Sequence, residues 1–242
     1  MSLPPPLEGF GEPRERRPFV WANCAISLDG KLALSGGRRA RLSSEEDLAR
    51  VQSIRARSDA ILVGAGTVLL DDPSLRVHEE LLAPEDRRDL SSPDRRVPAR
   101  IVLDSRGRLP AQARVLDGRL PTIILTTEEC RREYPPFVKV GRFGHGLVDL
   151  RSSLAWLYEE MKVRRLLVEG GARVFRSFLE SSLVDRFTVY VAPILIGEEG
   201  APSLLGGPAP KALEEGFPLT LERVDLAGPG LVLTLRPSVR PS

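Results

Sequence analysis

The stretch LVGAGTVLLDDPSL, residues 62–75, is the most informative part of the sequence. It starts inside an apolar strand, breaks at Gly64 and Gly66, and then presents Thr67 and Asp71 at fixed offsets. Glycines directly after a strand let a ligand approach the backbone, and the amides that open the next turn can face a phosphate. The pattern therefore favours a nucleotide-type ligand, and a purely structural glycine turn is the alternative that it leaves open.

A second strand that ends in glycines occurs later in the chain. The apolar residues 165–168 run into Glu169, Gly170 and Gly171 at the predicted start of a helix. Unpaired amides and the helix dipole both favour a pyrophosphate there, although a tight helix-packing turn would use the same glycines. A carboxylate beside a buried strand is costly unless it binds a partner, so Glu169 is predicted to be functional, with a backbone cap as the alternative.

The rest of the pattern alternates strands with helices and closes with strands alone. Predicted strands cover residues 19–26, 60–64, 100–104, 122–127, 165–168, 184–195, 219–225 and 231–235. One predicted helix begins at Ser43 or Ser44 and runs to Arg57, and two others cover residues 151–162 and 172–180. This order predicts a single α/β domain over residues 18–242, with a mixed, mostly parallel central sheet flanked by helices and antiparallel C-terminal strands. Residues 1–17 are rich in proline and charge, which predicts a flexible N-terminal arm.

Composition argues against several classes of function. The chain has 242 residues, a net charge of +2 and no apolar run of membrane-spanning length, so neither nucleic acid nor a membrane is expected as a partner. Two cysteines, Cys24 and Cys130, and two histidines, His78 and His145, are too scattered for a zinc site or a disulfide framework, so no metal is predicted. The N-terminus lacks the apolar core of a secretory signal, and a cytoplasmic protein is expected. Scarce histidine and cysteine fit a reductase, because its cofactor carries the difficult chemistry.

The polar residues that follow the strands form one candidate site, because ligands of open α/β sheets bind beyond the carboxyl ends of the strands. These residues are Ala25, Ser27, Asp29, Gly64, Gly66, Thr67, Asp71, Asp104, Ser105, Arg106, Glu169, Gly170, Gly171 and Ala172. Ser105 and Arg106 either hold a ribose 2′-phosphate or form an exposed turn. Arg55 lies on the apolar side of its helix, where it either pairs with an acid or binds an anionic substrate. The arginine-rich loop at residues 38–41 either closes over a phosphate or is solvated.

A set of motifs occurs in a fixed order along the chain. These are AISLDGK (25–31), IRA (54–56), GTVLLDDP (66–73), VLDS (102–105), VEGG (168–171), and LVD (183–185) with YVAP (190–193). Together they resemble the riboflavin-biosynthesis pyrimidine reductase family, whose fold is similar to that of dihydrofolate reductase. The resemblance extends over nearly all of residues 19–235 and implies a dihydrofolate-reductase-like domain.

The family resemblance implies an NADPH-dependent reduction of a phosphoribosylamino-pyrimidine to its ribitylamino form, with hydride delivered to C1′ of the ring-opened ribose. The residues implied to bind NADPH are Ala25, Gly64, Thr67, Asp71, Ser105, Gly170, Gly171, Ala172, Arg173, Val174 and Phe175. The residues implied to bind the phosphorylated pyrimidine are Arg55, Leu75, Glu169, Arg39, Arg41 and His78. Glu169, Asn23 and Ser27 are the candidate catalytic residues, and a homodimer formed through sheet contacts is expected.

Two departures from the family pattern narrow the assignment. Many bacterial members have a lysine on the first strand where this chain has Asn23, and asparagine resembles the stand-alone archaeal type, which reduces the diamino-pyrimidine before deamination. Bifunctional bacterial members carry an N-terminal zinc deaminase, whereas only the short arm precedes Phe19 here, so deamination is expected to occur elsewhere. The choices between diamino and deaminated substrate, and between NADPH and NADH, stay open. The alternative functions are a reductase of the same scaffold that acts on a pterin or another small carbonyl, and a non-catalytic NADPH-binding sensor.

Overall fold

The computed structural model describes residues 9–37, 41–82, 86–87 and 97–238, whose strands pair into one sheet. The strands are β1 (Phe19–Ser27), β2 (Ala60–Gly64), β3 (Ala99–Leu103), β4 (Thr122–Thr126), β5 (Val138–Arg142), β6 (Arg165–Gly170), β7 (Arg186–Ala192), β8 (Leu219–Ala227) and β9 (Gly230–Pro237). The helices that flank the sheet are α1 (Glu45–Arg57), α2 (Ala65–Asp71), α3 (Leu150–Glu159) and α4 (Ala172–Glu180).

The strands pair in the order β5-β4-β3-β2-β6-β1-β7-β9-β8. From β5 to β7 every neighbouring pair is parallel, whereas β9 pairs antiparallel with both β7 and β8. β2 and β4 are buried at every position, as expected for parallel strands that are covered on both faces. The predicted mixed sheet with antiparallel C-terminal strands is therefore confirmed.

Side chains of β1 and β6 alternate between two apolar cores on opposite faces of the sheet. Val20 and Val168 belong to the core that contains residues of α3 and α4. Trp21 and Leu167 belong to the core on the other face, where α1 packs. Because side chains alternate along a strand, Asn23 and Glu169 lie on the same face as α1, two residues further along their strands.

The start of α1 follows the sequence prediction. The Ser44 side chain accepts a hydrogen bond from the Asp47 amide at 3.2 Å, and acidic residues occupy the first turn. Arg55 and Arg57 occupy the last turn, where positive charge complements the helix dipole. At the C-terminal end the Ser58 amide donates to the Arg55 carbonyl, so both ends of the helix that carries Arg55 are held by a hydrogen bond.

The structure differs from the sequence prediction in two elements. The glycines after β2 were interpreted as a turn, but α2 begins at Ala65 immediately after the strand, with Gly64 as its N-cap residue. The strand β5 was not predicted, because its sequence VKVGR is short and polar. It lies at one edge of the sheet, where charged side chains are typical and an apolar pattern is not required.

Residues 9–17 of the predicted arm contact the domain, whereas residues 1–8 lie outside the described residues. The Phe10 ring makes edge contacts with Phe19 and Trp21, at centroid distances of 5.9 and 5.1 Å. Arg17 donates to both carboxylate oxygens of Asp185, at 2.6 and 2.9 Å. These contacts attach the chain to the amino-terminal ends of β1 and β7, and the flexibility of residues 1–8 stays a prediction.

Candidate active site

The carboxyl ends of three neighbouring parallel strands, β2, β6 and β1, meet at the centre of the sheet. Val63 is paired with Gly170 across β2 and β6, and Ala22 is paired with Val168 across β1 and β6. The turns after Gly64, Gly170 and Ser27 are therefore neighbours, and the turn after β3 is next in line. The structure brings together the four loops that the sequence places in one site.

Glu169 lies at an irregularity of the sheet. Leu62 is paired with Val168, but the next residue of β2, Val63, is paired with Gly170, so Glu169 is an extra residue on β6. Such bulges are over-represented beside active sites, where they redirect a side chain. The carboxylate of Glu169 faces the end of α1, where Arg55 donates to both of its oxygens.

Arg55 and Glu169 form a two-pronged ion pair. Nε of Arg55 donates to Oε1 of Glu169 and Nη2 donates to Oε2, both at 2.7 Å. Nη1 of Arg55 donates to the carbonyl of Arg76 at 3.1 Å, so the loop after α2 is hydrogen-bonded to the Arg55–Glu169 pair. Burial opposes the charge of Arg55, but the adjacent Glu169 carboxylate outweighs it, and the pKa of Arg55 is raised above its ordinary value.

The turn after Glu169 exposes backbone amides at the start of α4. Gly170 has a φ of 119°, a conformation that other residues rarely adopt, and its peptide bond to Gly171 is cis. Gly171 is the N-cap residue of α4 and offers no side chain to cap the helix. The amides of residues 174 and 175 donate to the Gly171 carbonyl, so the amides of residues 172 and 173 are the ones left for an anion.

Thr67 and Gly64, carried by the β2–α2 junction, lie against this turn. A Cβ atom added to Gly171 would lie 3.3 Å from Oγ1 of Thr67, so the hydroxyl borders the backbone of the turn. A Cβ atom added to Gly64 would lie 2.7 Å from Cγ2 of Val174, so only glycine lets α2 and α4 start this close together. The side chains of Val174 and Phe175 are buried, and any contact that these two residues make with a cofactor involves the backbone.

The two candidate catalytic residues on β1, Ser27 and Asn23, both form hydrogen bonds with other residues of the protein. Ser27 is fully buried, and its hydroxyl donates to Oδ1 of Asp29 at 2.5 Å while accepting from the Lys31 amide at 2.9 Å. Asn23 is buried, and its Oδ1 accepts from Nη2 of Arg50 and from Oγ1 of Thr188, both at 2.8 Å. Ser27 therefore shapes a turn, whereas Asn23 belongs to a polar cluster beside Glu169.

The turn after β3 carries several cationic side chains. Ser105 is half-buried, and its carbonyl accepts from Oγ1 of Thr127 at 2.9 Å. Arg106 is exposed, and Nε of Arg108 lies 3.9 Å from Oδ1 of the buried Asp104. The turn thus places the Ser105 hydroxyl near the positive charges of Arg106 and Arg108. It follows β3, the strand that pairs with β2, whose end carries Gly64.

The remaining residues predicted to bind substrate or cofactor differ in their burial and in their hydrogen bonds. Leu75 is buried with a φ of 51°, in the loop that crosses the end of α1. The amide of His78 donates to Oε1 of Gln52 at 2.8 Å, and its ring Nδ1 lies 2.9 Å from Oε1 of Glu80. Asp71 ends α2 and is half-buried, Ala25 is half-buried near the end of β1, and Arg41 is exposed. Arg39 lies outside the described residues.

Three residues of the polar cluster were not predicted from the sequence. Asp47 and Arg50 are buried on α1, and Thr188 is buried on β7. The available signal was the spacing of Asp47 and Arg50, which places an acid and a base three residues apart on the helix face that carries Ile54. A pair with this spacing is usually solvated, which is why the pattern alone did not single it out.

Further properties of the described residues concern metal-binding side chains, membrane-spanning helices and cysteines. No group of His, Cys, Asp and Glu side chains there could hold a metal ion, and no helix there is long and apolar enough to cross a membrane. Cys24 and Cys130 are free and buried. Burial raises the pKa of the Cys24 thiol far above its ordinary range, so this sulfur stays protonated at neutral pH.

Comparison with known proteins places this geometry in a family. The family model described as the RibD C-terminal domain matches residues 18–233. A 2,5-diamino-6-ribosylamino-4(3H)-pyrimidinone 5′-phosphate reductase of Archaeoglobus fulgidus is 38% identical over 226 residues, which cover 91% of this chain and 98% of the relative. A reductase of the same name from Methanothermobacter thermautotrophicus is 37% identical, with coverages of 90% and 97%.

A protein of known structure has a similar fold. The structure of Acinetobacter baumannii RibD, form 1, superposes with a TM-score of 0.78 at 26% identity, over 93% of this chain and 59% of the RibD chain. The comparison confirms the expected dihydrofolate-reductase-like α/β architecture and the resemblance drawn from the motifs.

Proposed function

Because the chain belongs to the RibD C-terminal domain family, we propose that it is an oxidoreductase of riboflavin biosynthesis that reduces a phosphorylated ribosylamino-pyrimidinone. The observation that carries the proposal is the position of the Arg55–Glu169 pair, on a bulged strand tip directly before the uncapped start of α4. A charged pair for a polar substrate thus adjoins backbone amides suited to a pyrophosphate. Nearly the full lengths of two reductases are similar to this chain, which supports the same assignment.

The site divides into a cofactor side and a substrate side. The cofactor side comprises Thr67 and the amides of residues 172 and 173, next to glycines that leave room for a ligand. The substrate side comprises Arg55 and Glu169, with Leu75, His78, Arg41 and Arg39 as further candidates. NADPH, when bound, supplies the hydride, and the protein holds the pyrimidine and the ring-opened ribose so that C1′ receives it.

The role of the Arg55–Glu169 pair is to bind and orient the substrate. Each carboxylate oxygen of Glu169 already accepts a hydrogen bond from the guanidinium of Arg55. An ionised carboxylate can still accept hydrogen bonds from amino or hydroxyl groups of the substrate, because each oxygen has two acceptor sites. Orientation of bound reactants supplies a large part of the rate in such reactions.

NADPH rather than NADH is the cofactor that we propose. The turn after β3 holds Ser105 together with Arg106 and Arg108, and a hydroxyl beside arginines suits a ribose 2′-phosphate. NADH lacks this phosphate and would leave the positive charges without a counterpart.

A homodimer in the cytoplasm is the assembly that we propose. β8 forms one edge of the sheet and exposes Leu221, Val224 and Leu226, whose exposed fractions are 54%, 50% and 76%. An apolar strand at an open edge favours association with a second copy. Two free cysteines without a disulfide suit the reducing conditions of the cytoplasm.

The function is tested by following the near-ultraviolet absorbance of NADPH with each candidate pyrimidine. The diamino and the deaminated phosphoribosylamino-pyrimidines are offered separately, with NADH as the alternative cofactor. We expect oxidation of NADPH with at least one pyrimidine, and faster oxidation with the diamino form, the substrate type named for both similar reductases. NADPH binding without oxidation by either pyrimidine would support a sensor, and oxidation with a pterin alone would support a different reductase.

A further inference from the structure

A cavity lies at the amino-terminal edge of the sheet, where β1 and β7 begin. Its volume is about 680 Å³, and its walls come from the segment before β1, the end of α4, the loop before β7, the start of β8 and the end of β9. Small-molecule sites in proteins typically have volumes of roughly 300–1,000 Å³. This amino-edge cavity is therefore large enough for a small ligand. The charged side chains in its wall are Arg14, Arg17, Glu180, Asp185 and Arg236.

The amino-edge cavity is separated from the candidate active site by the length of the sheet. Asp185 directly precedes β7, and its carboxylate accepts from the Val20 amide near the start of β1 at 2.8 Å. β9 runs antiparallel to β7, so its end, with Arg236, returns to the same edge. Glu169 lies at the opposite, carboxyl edge, about 20 Å away for a seven-residue strand such as β7. The cavity is therefore a place distinct from the site described above.

A tight turn presents two arginines to the cavity. The Arg17 amide donates to the Arg14 carbonyl at 2.8 Å, and the two residues form an antiparallel bridge. Between them Glu15 and Arg16 have φ values of 47° and 58°, the left-handed conformation that the favoured two-residue turns require and that these residue types rarely adopt. Side chains directly opposite each other across a bridge lie on one face, so Arg14 and Arg17 project together into the wall.

The two arginines differ in their partners. The guanidinium of Arg17 donates to both carboxylate oxygens of Asp185, and the Val20 amide donates to one of them. Nε of Arg14 lies 4.0 Å from Oδ1 of Asp185, which is beyond hydrogen-bond length. This contact is the only ion pair that Arg14 forms with the described residues, and 66% of its side chain is exposed. A guanidinium that lacks its own carboxylate thus lies at the cavity.

The remaining charged side chains of the wall are each paired with an opposite charge. Oε1 of Glu180 accepts from Nε of Arg176 at 2.8 Å, and Nε of Arg236 donates to Oε1 of Glu222 at 2.8 Å. With Arg17 paired to its carboxylate, these pairs cancel. Arg14 therefore leaves one uncompensated positive charge at the cavity.

The uncharged part of the wall is mainly apolar. Hydroxyl groups come from Ser182, Thr220 and Ser238, of which the last two lie 2.7 Å apart and bond each other. Ligand sites combine apolar surface with a few polar groups that fix the orientation of the ligand. The wall thus suits an apolar body that carries one negative charge. Its apolar residues are Leu179, Val184, Phe217, Pro218 and Pro237.

We propose that the amino-edge cavity is a second ligand-binding site, which takes a small carboxylate with an apolar ring or chain. The carboxylate pairs with the guanidinium of Arg14, whose planar fork matches two carboxylate oxygens. The apolar part packs against Phe217 and the prolines. One carboxylate balances the one uncompensated positive charge, whereas a phosphate would bring further negative charge without a counterpart. The inference does not rest on the proposed function, because the cavity lies at the other edge of the sheet.

Benzoate is the probe that tests this site. It is titrated into the full chain in the presence of excess NADPH, and the amide shifts are followed by two-dimensional nuclear magnetic resonance. We expect the amides of Val184 and Thr220 to shift with a dissociation constant of about 1 mM, the scale for so small a ligand, and the Gly171 amide to stay in place. Benzamide has the same shape without the charge and should bind at least about 10-fold more weakly. Phenyl phosphate should also bind more weakly than benzoate.

Arg14→Ala tests the residue that recognises the carboxylate. We expect the dissociation constant of benzoate to rise about 10-fold, the scale of a lost charge-assisted hydrogen bond. Arg16→Ala is the matched control, because Arg16 belongs to the same turn, is 79% exposed and pairs with Glu159 at 2.5 Å, outside the cavity wall. Its dissociation constant should stay within about twofold of that of the unaltered protein. Thermal unfolding of both variants checks that the fold is kept.

Several results would overturn the proposed site. Equal increases of the dissociation constant in Arg14→Ala and Arg16→Ala would show that only the overall charge matters. Benzamide binding as tightly as benzoate, or phenyl phosphate binding more tightly, would show that the wall does not select a carboxylate. Shifts confined to the surroundings of Gly171 would place benzoate in the candidate active site, and the absence of any shift would remove the second site. A lack of NADPH oxidation with every pyrimidine would count against the proposed function alone.

Discussion

The tips of β1 and β6 look alike in the sequence, but the structure uses them differently. β1 ends in the motif SLDG and β6 ends in VEGG, and each offers a carboxylate next to glycine. At the β1 tip the carboxylate of Asp29 accepts from the Ser27 hydroxyl and from the amides of Ile196 and Gly197. At the β6 tip the first amides of α4 have no capping side chain.

At both tips the carboxylate is already paired, so the groups that indicate a ligand are the backbone amides that no capping side chain satisfies, which occur at the start of α4. The β1 tip is a closed turn that fastens the loop at residues 194–197 to the end of the sheet. The β6 tip has no such side-chain closure: the amides of residues 172 and 173 have no capping side chain, and Gly206 is the neighbour that packs beside them. The comparison therefore predicts that equivalent substitutions affect activity at β6 and stability at β1.

The largest expected effect is that of Glu169→Gln. Glutamine keeps the size of the side chain but loses the negative charge that faces the half-buried Arg55. We expect kcat/KM for the pyrimidine to fall about 100-fold, the scale of a lost charge-assisted hydrogen bond. Steady-state rates with the pyrimidine report on the substrate side of the site. Fluorescence titration with NADPH reports on the cofactor side. A weaker affinity for NADPH with an unchanged KM for the pyrimidine would show that the site is divided wrongly.

A smaller effect is expected for Gly170→Ala. At a φ of 119° alanine is strained, so the turn that presents the α4 amides must rearrange. We expect the NADPH dissociation constant to rise about 10-fold, because a displaced turn no longer directs those amides at the pyrophosphate.

Gly66→Ala is the control for Gly170→Ala. Gly66 lies inside α2, and a Cβ atom added there has no other atom within 4 Å. Alanine is therefore expected to leave NADPH affinity unchanged and to raise the free energy of unfolding by about 0.5–1 kcal/mol. If both variants lost the same affinity for NADPH, the effect of Gly170→Ala could not be attributed to the turn before α4.

The smallest effect on turnover is expected for Asp29→Asn, which changes the closed tip of β1. The hydrogen bond from Ser27 and those from two amides lower the pKa of Asp29 below its ordinary value. A group with a lowered folded-state pKa stabilises the fold above its unfolded pKa of about 3.9, and this contribution is lost as the pH falls towards the folded-state pKa. Asp29→Asn should thus unfold at a lower temperature than the unaltered protein at pH 7.

The difference in unfolding temperature between Asp29→Asn and the unaltered protein should narrow in acid. Thermal unfolding followed by circular dichroism at a series of pH values measures this, and kcat/KM at neutral pH should stay within about twofold. A large loss of turnover with unchanged stability would mean that the β1 tip also belongs to the reacting site.

The sheet and the β6 tip could be predicted from the sequence because their signals are local. A run such as AILV followed by glycine indicates a buried parallel strand and a turn, and Ser44 followed by acids indicates a helix start. The strand β5 could not be predicted, because a short edge strand with Lys139 and Arg142 lacks the apolar pattern. α2 was missed because Gly64 and Gly66 disfavour a helix, which here depends on packing against Val174.

The polar cluster beside Glu169 shows why a site is harder to predict than a fold. Asn23, Thr188 and Arg50 are separated by long stretches of sequence and meet only through the pairing of β1 with β7 and the packing of α1. Ser27 and Asn23 looked equivalent as candidates, since both are polar residues on one face of β1. Only the hydrogen bonds separate them, because those of Ser27 are made within its own turn, whereas Asn23 accepts from Arg50 of α1 and from Thr188 of β7.

Transfer of deuterium from NADPH labelled at C4 of the nicotinamide tests whether the enzyme delivers hydride to C1′ of the ring-opened ribose. Both epimers of the labelled cofactor are incubated with the enzyme and the diamino phosphoribosylamino-pyrimidine, and the product is analysed by mass spectrometry with fragmentation. We expect one epimer to give a product with a single deuterium on the first carbon of the ribityl chain. A product without deuterium from either epimer, or deuterium on the pyrimidine ring, would contradict it.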